Sequence, residues 1–255
     1  TFTTLGGRLK SYLLKDYRGR DGKRLQMIPE LGYKELPLAL DLRQEGGKLV
    51  TAGGQEFDAA LFDTRLNRAA YEASVDRLVL DSSHPNAKLS LSYHDASGVK
   101  IIKEFTFYRD KYTFQADVRV EGLARYPNGI PYNLLWGAAI RGDKKRKGQE
   151  EDLQVTSYNG KEVKKQKPKK LKDDLVVTNP VKWVAIGTKY FVVAMLPGDT
   201  PSPAVLQRAD DKKIAIGIEL RASNGAAASL PELYVGPKER KHLESYGVSL
   251  QKVID

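Results

Sequence analysis

Hydrophobic and polar residues alternate along much of the chain, and the clearest stretch runs from residue 87 to 122. In residues 112–121, Tyr, Phe, Ala and Val occupy every second position, and polar residues occupy the positions between them. Successive side chains of a strand point to opposite faces, so this alternation predicts strands with one buried and one wet face. The turns between them are short, as at residues 95–98, which favours an antiparallel meander.

The most apolar block is residues 181–197, VKWVAIGTKYFVVAMLP. A membrane-spanning helix needs roughly 20 apolar residues, whereas this block has 14 from Trp183 to Leu196, with Lys189 near the middle. Its two halves are rich in β-branched and aromatic residues, and Gly187 begins a turn-like sequence between them. Short apolar runs of this kind are typical of strands that are buried on both faces. The block therefore predicts a hairpin inside a packed sheet.

Short runs elsewhere predict more strands, and helical features are scarce. One segment, residues 237–246, looks helical, because Pro237 suits the first helical position and Gly247 suits the C-terminal cap. Many short strands with little helix predict an all-β protein, a sandwich of antiparallel sheets with a short C-terminal helix, and we treat residues 1–255 as a single domain. The further strands are predicted at residues 8–14, 38–42, 59–63, 77–81, 132–140, 153–158, 175–178, 204–208, 213–220 and 232–236.

Charge is concentrated in one part of the chain. The net charge is +10, and residues 141–172 hold 12 Lys and Arg against 5 Asp and Glu, a local excess of +7. Such a segment indicates either an anionic partner, for example lipid headgroups, nucleic acid or an acidic protein, or a solvated loop. Nucleic acid is the weaker candidate, because Tyr158 is the one aromatic residue in the segment and single-strand binders stack bases on several.

Catalytic and metal-binding patterns are weak. Cysteine is absent, which excludes disulfides and thiolate sites, and His84, His94 and His242 lie far apart in the sequence, without the spacing of paired ligands on a helix. The pairs Asp173-Asp174 and Asp210-Asp211 sit in Lys-rich turns and do not resemble convergent catalytic carboxylates. Gly6-Gly7 lacks the order of a phosphate loop and predicts a tight turn or bulge before a strand. We predict no cofactor and no metal.

Four blocks of the sequence, in order, resemble the large periplasmic domain of the YidC membrane-protein insertase family. They are TLGGRLKSYLL (4–14), KEFTFYRDKYTFQADVRVEG (103–122), VKWVAIGTKYFVVAMLP (181–197) and LYVGPKERKHLESYGVSLQKVID (233–255). The resemblance implies a β-supersandwich similar to the galactose-mutarotase fold. It also implies a location at the periplasmic face of the bacterial inner membrane, in a longer protein with transmembrane helices before Thr1 and after Asp255.

What the resemblance implies for function is a non-catalytic interaction or scaffold domain that assists the insertion and folding of inner-membrane proteins. The implied partners are the Sec translocon, SecDF-type accessory proteins and nascent membrane proteins, with anionic lipid headgroups as a further candidate and no nucleic acid. We predict that residues of the basic segment contact such a partner or the membrane surface. We also predict that the C-terminal helix braces the sandwich against the membrane part, with Leu243 and Tyr246 as its core-facing residues. The predicted contact residues are Lys144, Lys145, Arg146, Lys147, Tyr158, Lys164, Lys165, Lys169 and Lys170.

One alternative is an aldose-epimerase-like carbohydrate-active or carbohydrate-binding sandwich, because mutarotases share the implied fold. That chemistry needs a general acid and a general base that face one groove, usually a histidine with a carboxylate. Few histidines are present, and they are widely separated, so the residues favour the interaction domain; the fold alone cannot decide, because one fold hosts many functions.

Overall fold

The computed structural model describes residues 1–19, 21–28, 36–42, 47–124, 130–137, 140, 153–167, 170–171, 175–208, 214–222 and 230–254. Antiparallel strands dominate these residues, and helices are few and short. In chain order the strands are β1 (Phe2–Thr3), β2 (Arg8–Leu9), β3 (Leu13–Arg18), β4 (Arg24–Gln26), β5 (Ala39–Asp41), β6 (Lys48–Val50), β7 (Glu56–Asp58), β8 (Glu72–Ala73), β9 (Asn86–His94), β10 (Lys100–Tyr108), β11 (Thr113–Glu121), β12 (Ile130–Trp136), β13 (Gln154–Tyr158), β14 (Val163–Gln166), β15 (Leu175–Val181), β16 (Trp183–Gly187), β17 (Phe191–Leu196), β18 (Ser202–Arg208), β19 (Ile214–Ala222) and β20 (Glu232–Pro237). The helices are α1 (Ala59–Leu66), α2 (Arg240–Glu244) and a 3-10 helix (Leu250–Val253).

Most of the strands belong to two sheets. The large sheet has the order β14-β13-β16-β17-β20-β11-β10-β9-β8, and the small sheet has the order β15-β18-β19-β12-β5. Neighbouring strands in both sheets are antiparallel. β19 of the small sheet contacts β11, β16 and β17 of the large one, and the main core lies between these layers. The prediction of an all-β protein of antiparallel sheets is confirmed.

The 183–196 block forms the predicted hairpin in the interior of the large sheet. Both strands are buried at every position. Alternate residues contribute to different cores: Ile186 and Met195 belong to the main core, whereas Trp183 and Ala194 belong to a second core on the outer face of the sheet. The second core comprises Tyr158, Trp183, Ala185, Val192, Ala194, Leu196, Tyr234, Leu243, Leu250 and Val253. A strand that packs on both faces must be apolar on both, which explains the unbroken hydrophobic run.

The meander at residues 87–122 also forms as predicted. β10 pairs with β9 and with β11, so that Phe105 lies opposite Leu89 on one side and Ala116 on the other. The inward row of β10 contains Ile101, Lys103 and Phe105, all fully buried. Lys103 is therefore an ionisable residue at a core position. It lies two residues from Ile101 and from Phe105, so its side chain points to the same buried face of the strand.

Gly6 and Gly7 form the predicted turn before a strand. Both have positive φ, 70° and 55°, and β2 follows directly. A Cβ at Gly6 would lie 2.3 Å from the carbonyl oxygen of Asn67, so no side chain fits there. The buried carbonyl oxygen of Gly6 accepts a hydrogen bond from Lys103 Nζ at 2.8 Å. The same Nζ donates to the carbonyl oxygen of Leu38 at 2.9 Å.

Residues 59–63, predicted to be a strand, form the first turns of α1 instead. Asp58 caps the helix, with its carboxylate accepting a hydrogen bond from Leu61 N at 2.9 Å. Ala59, Phe62 and Leu66 are buried, and their spacing of three and four residues is helical rather than strand-like. The strand prediction was wrong because a short apolar run fits both patterns.

Three other predicted elements differ from the structure. Residues 77–81 do not form a strand: Val79 is exposed, and no described segment pairs with this stretch. The predicted strand 8–14 is interrupted, and its two ends belong to β2 and β3. The C-terminal helix predicted at 237–246 is shorter, because residues 237 and earlier continue β20 and helical structure begins at Arg240.

Candidate functional site

The C-terminal segment, residues 240–254, covers the outer face of the large sheet. Leu243 of α2 is fully buried, and so are Leu250 and Val253 of the 3-10 helix. Trp183 Nε1 donates a hydrogen bond to the carbonyl oxygen of Val248 at 3.1 Å, which ties the segment to β16. These contacts attach the end of the chain to the interior of the sheet rather than to its rim.

Tyr246 lies in an aromatic cluster beside α2. Its ring packs edge-on against Tyr234, with ring centroids 5.3 Å apart, and Tyr112 packs against Tyr234 and His242. Burial raises the pKa of Tyr246. Leu243 and Tyr246 therefore both contact the sandwich. That the helix braces the sandwich against a membrane part stays a prediction.

The same cluster joins α2 to the β3–β4 hairpin. The Tyr17 hydroxyl donates to Glu239 Oε1, and His242 Nε2 lies 3.5 Å from Glu239 Oε2. Tyr17 also packs edge-on against Phe191 of β17. The Glu239 carboxylate is thus held by two partners from different parts of the chain.

Tyr158, predicted as a surface contact, is a core residue. It is only 7% exposed, and its ring packs against Trp183 with centroids 5.7 Å apart. Its hydroxyl donates to Gly160 O at 2.8 Å and accepts from Lys252 Nζ at 3.2 Å. The side chain is occupied by internal contacts, so the prediction for Tyr158 is corrected: the alternation of β13 turns it to the second core.

β14, which carries Lys164 and Lys165, is an edge strand of the large sheet and pairs only with β13 among the described strands. Lys164 lies opposite Ser157, and Lys165 lies opposite Thr156. Successive residues of a strand point to opposite faces, so the two lysines do not form one surface. Lys164 Nζ lies 3.4 Å from Glu162 Oε1, whereas Lys165 projects on the face of the C-terminal segment.

The remaining predicted contact residues divide into two groups. Lys170 is exposed, and its backbone N–H donates to Lys167 O at 2.9 Å. The others lie outside the described residues: Lys144, Lys145, Arg146, Lys147 and Lys169.

Lys238, at the end of β20, is a cation that sequence reasoning missed. Its backbone N–H donates to Tyr190 O at 2.7 Å, and its side chain crosses Gly187. Burial lowers the pKa of Lys238, and the positive charge of Lys165 lowers it further. In the sequence, Lys238 directly follows the apolar strand β20, which is a weak indication of partial burial. The strand pairing that brings its side chain to Gly187 cannot be predicted from the sequence.

Lys103 is the most deeply placed charge in the described part of the chain. Besides its bonds to Gly6 O and Leu38 O, its Nζ lies 5.3 Å from the centroid of the Tyr71 ring. Burial lowers the pKa of Lys103 well below its usual value, and the nearby charge of Arg8 adds to the effect. These contacts join the N-terminal turn to β10 and to Leu38, which directly precedes β5, so Lys103 has a structural role.

The outer face of β9–β11 carries charged residues that form an ion-pair network. A hydrogen bond from Lys88 holds the pKa of Glu104 below its usual range, whereas burial raises the pKa of Asp117. Arg119 lies between the two carboxylates, 3.6 Å from Glu104 Oε2 and 3.7 Å from Asp117 Oδ2. Diverging carboxyl pKa values are a feature of acid–base pairs, but here the charges neutralise each other across the sheet.

The histidines do not join this network. His84 contacts Asp81 in an exposed turn, His94 ends β9, and His242 lies on α2. Within the described ranges, no group of three or more potential metal ligands is found, and no helix there is long and apolar enough to cross a bilayer. Asp173-Asp174 and Asp210-Asp211 lie outside the described residues.

Comparison with known proteins gives a family match over the whole chain. The family model described as the YidC periplasmic domain matches residues 1–255. The membrane protein insertase YidC of Syntrophus aciditrophicus is 27% identical over 261 residues, covering 100% of this chain and 45% of that protein. YidC of Chlorobaculum parvum is 26% identical, covering 98% of this chain and 42% of that protein. The chain therefore spans less than half the length of these curated relatives.

A solved structure supports the fold. A protein of Escherichia coli K12 assigned as an aldose 1-epimerase superposes with a TM-score of 0.51 at 13% identity, covering 92% of this chain and 98% of the other. This likeness confirms the predicted galactose-mutarotase-like sandwich and, at such low identity, speaks only of the fold.

Proposed function

The chain belongs to the family of YidC periplasmic domains, and from this premise we propose that it is the rigid, non-catalytic interaction domain of a membrane-protein insertase. Its relatives over the full length of the chain are membrane protein insertases, and family membership confirms that the chain is not an enzyme. The finer role is our proposal: at the periplasmic face of the inner membrane, the domain contacts translocon components or segments of nascent membrane proteins.

The docked C-terminal segment is the observation that carries this proposal. A domain that positions a partner relative to a membrane part must be held in a fixed orientation to that part. A connecting segment that did not pack against the sheet could not fix this orientation. Here Leu243, Leu250 and Val253 are buried in the second core, and Trp183 holds the backbone of Val248. Because any chain that continues beyond residue 254 starts from this packed segment, the orientation of the sandwich is linked to it.

The edge strand β14 supplies a contact surface of suitable chemistry. An edge strand offers unpaired backbone N–H and C=O groups, which an extended peptide segment can pair with. Lys164 and Lys170 are exposed at or near this edge. We propose that an acidic surface of a Sec translocon or SecDF-type component, or an extended nascent segment, meets the sandwich here. The basic residues 144–147 and Lys169, which lie outside the described residues, stay predicted contacts for the same kind of partner.

Site-specific photocrosslinking tests the proposal in a full-length insertase that carries this chain as its periplasmic domain. A photoreactive residue at position 164 is compared with one at position 48, since Lys48 is also exposed but lies in the β6–β7 hairpin. We expect adducts with a translocon component or a nascent chain from position 164 and few from position 48. Equal yields from the two positions, or no adduct from position 164, would contradict the proposed surface.

The carbohydrate-active alternative has no comparable support. The residues it needs, a histidine and a carboxylate facing one groove, do not converge in the described part of the chain: His84 contacts Asp81 in an exposed turn, and His242 contacts Glu239 beside α2. The structural likeness to an aldose 1-epimerase therefore reflects shared architecture.

A further inference from the structure

Two lysines lie at the turn between β16 and β17. Lys238 crosses the backbone at the end of β16: a Cβ at Gly187 would lie 2.8 Å from Lys238 Cε and 3.0 Å from its Nζ. Glycine at this position leaves the space that the lysine occupies. Lys189 lies in the turn itself, two residues after Gly187.

Strand register brings Lys165 towards the same place. Lys165 pairs with Thr156, Thr156 pairs with Ala185, and Ala185 precedes Gly187 by two residues on β16. Lys165, Thr156 and Ala185 share the outer face of the large sheet, on which Lys238 also lies. The influence of Lys165 on the pKa of Lys238 is consistent with this approach of two like charges.

The carboxylates that the structure describes near these lysines are engaged elsewhere. Glu162 lies beside Lys164 on the other face of β14, and Glu239 is held by Tyr17 and His242. In the described part of the chain, neither Lys165 nor Lys238 forms a salt bridge. Like charges that approach without a counter-ion are unfavourable, unless an anion from outside the protein neutralises them.

An exposed aromatic side chain stands next to these cations. Tyr190 is 54% exposed, although its neighbour Phe191 is buried, and Lys189 Nζ lies 5.1 Å from the centroid of its ring. Exposed Tyr and Trp with adjacent lysines are characteristic of surfaces that contact the headgroup region of a bilayer. Tyrosine rings are enriched at the headgroup level of membranes, where an apolar ring and a polar hydroxyl are both accommodated, so the exposed ring favours a lipid over a dissolved anion.

We propose that Lys165, Lys189 and Lys238, together with Tyr190, form a contact site for the phosphate of an anionic phospholipid headgroup. This site deepens the proposed function, on which it rests, because it assigns the end of the large sheet around residues 187–190 to the membrane surface. It is distinct from the surface of Lys164, which projects from the opposite face of β14. The two faces of the edge strand would then serve a membrane and a protein partner respectively.

Vesicle co-sedimentation of the 255-residue chain tests the site. Phosphatidylglycerol-containing vesicles are compared with pure phosphatidylcholine vesicles, for the unaltered chain and for a Lys165→Gln/Lys238→Met variant. Methionine keeps the unbranched stem that packs over Gly187 but removes the charge. The matched control is Lys48→Gln/Lys100→Gln, which removes the same charge from lysines of the β6–β7 hairpin and β10. Thermal unfolding of each variant verifies that the sandwich is intact.

We expect the unaltered chain to bind anionic vesicles. The site variant should bind them about 25-fold more weakly, since each of the two lysines near an anionic surface contributes about a fivefold factor. The control variant should lose much less, and Lys165→Arg/Lys238→Arg should restore binding. Equal losses in the site and control variants would overturn the site, as would equal binding to neutral vesicles. Competition by millimolar inorganic phosphate at constant ionic strength would indicate a free-phosphate site and would also overturn the lipid assignment. Because the photocrosslinking from position 164 is measured separately, either proposal can fail while the other stands.

Discussion

The second core makes a quantitative prediction about Leu243. This side chain is fully buried in the second core, against the outer face of the large sheet. Replacement by Ala removes three carbon atoms, which costs about 2.4 kcal/mol in transfer free energy at about 0.8 kcal/mol for each group. Sheet residues such as Ala194 and Tyr234 are fixed by strand pairing on both sides, so they cannot collapse into the space, and a cavity contribution is added. The expected loss for Leu243→Ala is therefore about 2.5–5 kcal/mol of unfolding free energy.

Urea denaturation followed by far-UV circular dichroism measures this loss. Lys241→Ala is the control, because Lys241 is exposed on the same helix and Leu, Lys and Ala have similar helix propensities. We expect the control to change the free energy by less than about 0.5 kcal/mol. In a Trp136→Phe background, in which Trp183 is the one remaining tryptophan, Leu243→Ala should also shift the fluorescence of Trp183. A loss no larger than that of the control would refute the buried position of α2.

Further predictions concern the N-terminal turn, the buried lysine and the cap of α1. Gly6→Ala should destabilise the chain by about 1–3 kcal/mol more than Gly22→Ala in urea denaturation. Both glycines have positive φ, but a Cβ at Gly6 would clash with a backbone oxygen, whereas nothing lies near Gly22. Equal losses of stability in the two variants would contradict this packing. The pKa of Lys103 is lowered in the folded state, so the unfolded chain binds more protons below pH 10.5 and stability should rise with pH towards that value, by up to about 1.4 kcal/mol per pH unit. Lys103→Met should flatten this rise between pH 8 and 10, whereas parallel stability curves would exclude the depressed pKa. Asp58→Ala should cost about 1 kcal/mol in thermal or urea unfolding, because it removes the hydrogen bond to Leu61 N; an unchanged stability would mean that the cap contributes nothing.

The sequence predicted the features that depend on hydrophobic periodicity. The meander at 87–122 and the hairpin at 183–196 follow directly from alternation and from an unbroken apolar run. The burial of Leu243 also follows from helical spacing. Alternation does not predict which strand pairs with which. Residues 77–81 have a strand-like composition, but no described strand pairs with them.

Helix α1 shows where a local signal was available but ambiguous. Asp58 is a suitable cap, and Ala59, Phe62 and Leu66 have helical spacing, yet the short run of Ala, Leu and Phe fits a strand equally well. Length usually separates the two, and eight residues are too few to do so.

The interaction surfaces depended on tertiary structure that the sequence does not contain. Lys164 and Lys165 are adjacent in sequence, but strand geometry places them on opposite faces. Lys238 and Lys165 are distant in sequence, but the pairing of the strands places both on the outer face of the large sheet. Tyr158 lies in a basic segment of the sequence and was therefore predicted to be at the surface. It faces the second core because β13 pairs with β16, which places Tyr158 beside Trp183.

The C-terminal segment is an integral part of the sandwich, so that the apolar strands β16 and β17 are enclosed on both faces. Amide hydrogen exchange measured by mass spectrometry tests it most directly, because protection reports local opening. We expect peptides from residues 183–196 to exchange only through global unfolding, and peptides from residues 242–253 to be strongly protected with them. Rapid exchange of residues 242–253 while β17 stays protected would show that the segment is not docked, and would contradict both the second core and the function built on it.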